Sequence, residues 1–396
     1  MSKWEKVKLG TIGDFKSGGT PSRNKSEYFK GNLPWITTTA LGKTFIDESD
    51  AVEYITKEAV LNSSTKIILE DSIMVGIRVG VGKVSINTVP MCTNQDLIAI
   101  ENIDEKRIFK PYIVHCIKSY SNYFNTQKRG ATIQGINSGV LKSLEIPLPP
   151  LEIQRQIAKT LDTAAELLAL RKQQLSELDN LIKSIFYDMF GDPVTNEKGW
   201  DVVKLSDFYE DSKTSVKCGP FGSALKKEEY VPNGVPVWVM DNITKQGDFI
   251  DKVYLCITEE KFNSLEGYSV KKGDIIISRA GTVGKMCVLT ANYNKSIIST
   301  NLIRLRLNHE LLPIYVVKLI TIWGNRVCRL KTGDDGSFTH MNTGVLDTIT
   351  FPYPPLSLQT QFASIVTKIE EQKALVKKAI DETQYLFDSL MSEYFE

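Results

Sequence analysis

NSGVLKSLEIPLPPLEIQRQIA at 137–158 returns as NTGVLDTITFPYPPLSLQTQFA at 342–363, a shift of 205 residues. Self-similarity at a long, nearly fixed period means that one structural unit is used twice. Upstream in each copy, WEKVKLGTIGDF at 4–15 returns as WDVVKLSDF at 200–208, and IMVGIRVGVGK at 73–83 as IIISRAGTVGK at 275–285. The shift grows from 196 to 202 to 205, so short insertions fall in the early loops and none near the end. The order is therefore block, helix, block, helix.

The decisive stretch also fixes where each block stops. Pro149-Pro150 and Pro354-Pro355 hold φ and restrain the residue before them, so a strand ends there and a helix starts just after. Beyond the prolines, apolar residues recur at alternating steps of four and three. In the first copy they are Ile157, Leu161, Ala164, Leu168, Leu175, Leu178, Ile182, Ile185 and Met189, with Arg171 as a polar member. In the second they are Phe362, Val366, Ile369, Val376, Ile380, Phe387, Leu390 and Tyr394, with Lys373 and Thr383 between them. Such a seam predicts coiled-coil packing, and roughly 55 Å of rod at 1.5 Å per residue. Gly191-Asp192-Pro193 stops the first rod. Within the blocks, 274–278 reads as a buried strand with 283–289 as its hairpin partner, and 112–117 and 314–322 read as helices. The expected fold is α+β: two mixed α/β domains in a tandem pseudo-two-fold repeat, separated by two long antiparallel coiled-coil helices. Its boundaries fall at 1–150, 151–191, 192–355 and 356–396.

Composition bounds the function classes. With 42% hydrophobic and 24% charged residues over 396 positions, the chain reads as globular. MSKWEKVKL carries no apolar run of a signal peptide, and no stretch approaches a membrane helix, so a cytoplasmic protein is expected. Six cysteines without CxxC spacing and three distant histidines predict free thiols and no bound metal. Net charge is only +1, but residues 1–150 hold 19 Lys/Arg against 15 Asp/Glu, and 200–355 hold 19 against 17. The positive excess sits in the blocks, where phosphate affinity would need it.

Duplication that keeps the rods and lets the blocks diverge suits a ruler carrying two unlike readers of duplex DNA. PPLEIQRQIA, PPLSLQTQFA, FYDMFGDPVTNEKGW at 186–200, SGGTPS at 17–22 and RAGTVGK at 279–285 together resemble type I restriction–modification specificity subunits. The resemblance covers essentially the whole chain. It implies two target-recognition domains, an asymmetric bipartite DNA target, and two methyltransferase subunits docked on the helices, with restriction/translocase subunits joining for cleavage. It also implies no catalytic site here, with S-adenosylmethionine and ATP/Mg belonging to the partners. The second block departs from SGGTPS with KCGPFGSA at 217–224. Rival readings are a one-chain methyltransferase or nuclease, and a coiled-coil scaffold that does not touch DNA.

Candidate DNA contacts follow from residue type. Ser17, Gly18, Gly19 and Thr20 offer backbone N–H groups and hydroxyls to a phosphate. Gln127, Lys128, Arg129, Thr132 and Gln134 form a polar basic loop, in which Arg129 suits guanine and Gln134 adenine. Its second-copy match is Lys331, Thr332, Ser337, Thr339 and His340. Arg78, Lys83, Arg279 and Lys285 flank glycine turns, and Lys217 and Ser223 occupy the divergent loop. For partner subunits the expected surface is the seam: Ile157, Leu161, Leu168, Leu175, Leu178, Ile182, Phe362, Val366, Ile369, Val376, Ile380 and Phe387. GIRVGVGK lacks the glycine and Ser/Thr of a nucleotide-binding loop. Asp251, Glu259 and Lys261 imitate a nuclease set without a counterpart in the first copy, and neither Pro-Pro follows the Asn or Asp of an amino-methyltransferase.

Overall fold

The computed structural model describes residues 4–128, 135–279, 283–327 and 343–395. Each block is built on a main sheet. In the first block the strand order is Asp14–Ser17, Leu97–Glu101, Ile73–Gly76, Val84–Asn87, Phe45–Ile46. In the second it is Val216–Cys218, Leu302–Leu305, Ile275–Ser278, Met286–Val288. The central strands Ile73–Gly76 and Ile275–Ser278 are buried at every position, which explains their unbroken apolar runs. A second layer carries a parallel pair in both copies, Leu33–Ile36 with Met91–Thr93 and Val235–Trp238 with Ile297–Ile298. A two-stranded ribbon closes each block, Lys6–Lys8 on Glu145–Pro147 and Asp201–Lys204 on Thr350–Tyr353.

The expected helices stand at Lys110–Ser119 and Pro313–Val327, and the expected hairpin pairs Ile275–Ile277 with Met286–Val288. The long helices run Leu151–Phe190 and Leu356–Phe395, 40 residues each. Gly191, at φ +78°, takes the left-handed conformation that ends the first.

The chain divides into two compact units, Met1–Lys172 with Lys378–Glu396, and Gln173–Lys377. Both long helices therefore contribute to both units. In the first unit Ile157, Ala158 and Leu161 join the core around Tyr112 and Ile113, together with Phe387, Leu390 and Phe395. In the second, Phe186, Phe190, Phe362 and Tyr315 form an aromatic cluster with centroids 4.9–5.7 Å apart. Each such ring buries enough apolar area to contribute about 1.5–3 kcal/mol. Within each unit the two helical segments run antiparallel. Arg171 reaches the Ala379 carbonyl and Thr383 hydroxyl in one unit, and Asp179 reaches Lys373 in the other. No seam position is exposed, including the polar ones.

The joint between block and helix is the same in both copies. Gln154 is fully buried; its Oε1 accepts from Phe109 N–H (2.8 Å), and its Nε2 donates to the Pro149 (2.8 Å) and Arg107 (2.9 Å) carbonyls. Gln359, also fully buried, accepts from Leu312 N–H (3.0 Å) and donates to the Pro354 carbonyl (2.9 Å). Tyr112 and Tyr315 each donate a phenolic hydrogen bond to Pro147 and Pro352. The glutamine of PPLxxQ thus fastens the start of its long helix to the start of its block's helix.

Lys373 is the polar seam residue with the densest surroundings. Almost wholly buried, its ammonium lies 2.7 Å from Asp179, 2.9 Å from Glu370 and 3.1 Å from Asp248. Lys318, equally buried, shares Asp248 and Glu370 at 3.1 Å each. Burial works against the Asp248 carboxylate, but Lys318 and Lys373 prevail and bring it down to about 2.

Candidate nucleic-acid interface

Two turns and one loop meet at the same edge of each main sheet. In the first block the hairpin after Gly76 is closed by Gly76 N–H to Lys83 O (2.9 Å) and Gly82 N–H to Gly76 O (3.0 Å). Gly80 and Gly82 sit at φ +69° and +85°, conformations that L side chains resist. The tight turn leaves Arg78 and Lys83 exposed at its surface. Arg78 faces the Asp96 carboxylate at 3.7 Å, and Ile77 N–H donates to Asp96 O, tying the hairpin to the 94–97 turn. That turn also receives the 17–20 loop.

Here the structure corrects the sequence reading. The N–H groups of Gly18 and Gly19, expected to face a phosphate, donate instead to Leu97 O (3.3 Å) and Thr93 O (2.8 Å). The Gly19 carbonyl accepts from the Trp35 indole (3.2 Å), and the Thr20 hydroxyl donates to Gln95. A Cβ on Gly18 would stand 2.0 Å from Thr93 Oγ1 and 2.2 Å from Asn94 O. These glycines are small because the loop lies against the second layer. Ser17 remains exposed.

The second block repeats the arrangement with other side chains. Ser278 N–H to Lys285 O (2.7 Å) and Gly284 N–H to Ser278 O (3.0 Å) close the hairpin, and Gly219 N–H meets Leu302 O (2.9 Å). A Cβ on Gly219 would come within 1.9 Å of Ser299 O. Gly219→Ala should therefore destabilise its unit by about 2 kcal/mol, roughly 4–8 °C in a thermal melt. Gly267→Ala, where a Cβ meets open space, should leave the midpoint in place. Equal midpoints for the two variants would refute the close-approach account. Lys217 stands 5.3 Å over the Tyr268 ring, and the Arg279 guanidinium 4.4 Å over Phe221.

Of the remaining candidates, Gln127 ends the helix Ser121–Gln127 and Lys128 follows it, both half-buried. Gly82 of the hairpin abuts Phe124 of that helix. Arg129, Thr132, Gln134, Lys331, Thr332, Ser337, Thr339 and His340 lie outside the described residues, as does the side chain of Ser223. The partner-binding expectation for the seam is corrected as well. Ile157, Leu161, Ile182, Phe362, Val366, Ile369 and Val376 are buried inside their own units, and Leu168, Leu175, Leu178, Ile380 and Phe387 half-buried. A heptad seam is consumed by the helix it pairs with. The exposed apolar residues of the helices are a different set, Leu167, Leu170, Tyr385 and Leu386 in one unit and Leu181, Tyr187, Leu356, Ile365 and Leu375 in the other.

Sequence reasoning missed Gln154 and Gln359, whose signal was their recurrence in PPLxxQ. It also missed Lys16, paired with Glu101 at 2.6 Å, and the aromatic supports Phe221 and Tyr268. The rejected sets stand apart. Lys83 is followed by the strand Val84–Asn87 where a nucleotide-binding loop needs a helix. Lys261 pairs with Glu229 (2.7 Å), and Glu259 with Lys295 (2.5 Å). Among the described residues no cluster of His, Cys, Asp and Glu could hold a metal, and no helix is long and apolar enough to cross a membrane.

A block with a basic, turn-built edge, clamped to a long helix and then repeated, defines a protein of the duplicated block-and-helix class. The sequence profile of the type I restriction modification DNA specificity domain matches residues 1–180 and again 197–384, and the chain belongs to that family. It is 39% identical, over 39% of each chain, to the type I restriction enzyme EcoR124I/EcoR124II specificity subunit of Escherichia coli. To the MjaIX specificity subunit of Methanocaldococcus jannaschii it is 29% identical, over 64% of this chain and 62% of the relative. The chain thus spans less than two thirds of the length of these two relatives. With the MjaVIII specificity subunit of the same organism, 22% identity extends over 98% of this chain and 91% of the relative. The fold is that of the type I restriction–modification S subunit from M. genitalium, with a TM-score of 0.60 at 18% identity, covering 100% of this chain and 96% of that one.

Proposed function

We propose that this chain is the DNA-recognition subunit of a type I restriction–modification complex. Each block reads one part of an asymmetric bipartite target, and the helices dock two methyltransferase subunits. The observation that carries this reading is one edge built twice on the same backbone hydrogen bonds with different side chains. Thr20 of one copy stands where Phe221 stands in the other, and Ile77 where Arg279 stands. A constant frame with variable side chains is what reading two different base sequences requires.

The exposed apolar residues of the long helices are the surface left for methyltransferase subunits. A chain of 17% identity and TM-score 0.58 comes from a structure concerned with complex assembly of the type I R-M system, which fits that role. Methyl transfer, with its S-adenosylmethionine, and ATP-driven translocation reside in the partners; this chain contributes recognition and no catalysis, in the cytoplasm.

The test is the methylome of a methylation-free host expressing this chain with its neighbouring methyltransferase subunit. A split, asymmetric methylated motif that disappears without this chain is the expected result. A complex that assembles and methylates no motif would refute the reading.

A further inference from the structure

The two recognition edges are alike in backbone and unlike in charge. Gly18 and Gly219 make the same hydrogen bond, to Leu97 O and Leu302 O, so Lys16 corresponds to Lys217 and Thr20 to Phe221. Ile77 and Arg279 make the same bond, to Asp96 O and Asn301 O. In the first block every cation at this edge near an acid is paired with it. Lys16 lies 2.6 Å from the buried Glu101, and Arg78 lies 3.7 Å from Asp96.

The second block has lost both acids. Asn301 replaces Asp96, and the position of Glu101 is taken by Arg306, which is itself paired with Asp274 at 2.7 Å. Lys217 lies opposite Arg304 in the sheet, where Lys16 lies opposite Ala99. Among the described residues no acidic side chain lies within ion-pair distance of Lys217 or Arg279. Both rest on aromatic rings, Tyr268 and the exposed Phe221. The buried Arg279 Nε–H has no hydrogen-bond partner. A ring holds a cation in place without neutralising it and leaves the guanidinium edge free to donate.

We infer that the blocks contribute unequally to DNA affinity: Arg279 and Lys217, carried on Phe221 and Tyr268, supply the dominant contacts to the duplex, while Arg78 and Lys16 already face the carboxylates of Asp96 and Glu101. This inference rests on the DNA-recognition reading above and adds which half of the chain carries the salt-dependent attraction. Neutralising a bound phosphate releases counterions, so each such contact adds about one to the slope of log affinity against log salt.

The test uses the full chain assembled with its methyltransferase subunits, on a duplex bearing its methylated motif, with the dissociation constant measured across a salt series. Arg279→Gln and Lys217→Gln should each weaken binding by roughly 5- to 150-fold and lower the salt slope by about one. Arg78→Gln and Lys16→Gln should change affinity less than about threefold and leave the slope unchanged. Phe221→Thr, which installs the first-block residue and keeps every charge, should weaken binding with little change in slope. It provides a readout even if a variant at Arg279 folds poorly. Equal losses from both blocks, or an unchanged constant and slope for Arg279→Gln and Lys217→Gln, would overturn the inference. A wild-type complex that binds no duplex would instead defeat the reading on which it rests.

Discussion

Replacing Lys373 with methionine is expected to destabilise the unit Gln173–Lys377 by about 3 kcal/mol, a fall of roughly 6–12 °C in its thermal midpoint. The side chain keeps its length and burial, but Asp248, itself little exposed, keeps only Lys318 as a close buried partner. An ion stranded in a low-dielectric site costs more than the pair contributed, because the desolvation of the remaining charge is no longer offset. Adding Asp248→Asn should therefore recover at least half of the loss, since Lys318 keeps Glu370 and the partly exposed Asp179 can turn to solvent. A double variant as unstable as the sum of the singles would show that the groups do not act together. The pH dependence has a fixed sign. The Asp248 carboxyl is depressed, so its contribution is present above the ordinary carboxylate range and disappears as pH falls toward about 2. Burial opposes the Lys373 ammonium, but Asp179, Asp248 and Glu370 raise it above the ordinary lysine value, so its contribution disappears only in strong alkali. Between these limits the cluster should add a nearly constant stability, measurable by chemical denaturation across pH.

Gln154→Leu should destabilise the first unit by about 3 kcal/mol, because Phe109 N–H and the Pro149 and Arg107 carbonyls are left in the interior without a partner. Leucine fills the space and cannot hydrogen-bond. Gln359→Leu, which removes two bonds where Gln154→Leu removes three, should cost about 2 kcal/mol. Gln156→Leu, on the exposed side of the same helix turn, is the matched control and should lie within about 0.5 kcal/mol of the wild type. If Gln154→Leu is as mild as Gln156→Leu in denaturant titration, the clamp has no energetic role.

The repeat, the hairpin, the block helices and both long helices were legible because each writes a local signal: apolar period, glycine turn, proline stop. The seam was legible for the same reason, and so was Arg171 as its polar member in the first helix. What a seam residue meets is not local. Lys373 finds Asp248 from 125 positions away, and no periodicity announces that pairing. Gly18 and Gly19 were misread because small residues suit both an approaching phosphate and an approaching strand. Only the long-range contact with Thr93 and Leu97 decides between them. The seam was assigned to partner subunits although its geometry is spent on its own antiparallel neighbour. The aligned hairpins already set Arg279 opposite Ile77, with Arg78 one position later. A shift of one residue in a turn exchanges a buried side chain for an exposed one.

The two glutamine clamps are interchangeable fittings. Everything that distinguishes one block from the other lies upstream of its prolines, and everything the clamp grips is backbone: one N–H and the carbonyls beside it. A gene segment encoding a foreign block with the same tyrosine and prolines would meet the existing glutamine without a compensating change at the clamp. Recombination at this point would replace the whole block in a single event and leave the exposed faces of the long helices untouched. The Asp248–Lys318–Lys373 cluster crosses the second joint, where the first has only the smaller pair of the buried His115 with Asp162 at 2.8 Å among the described residues. Inheritance by block exchange should accordingly be freer for the first half of the gene than for the second.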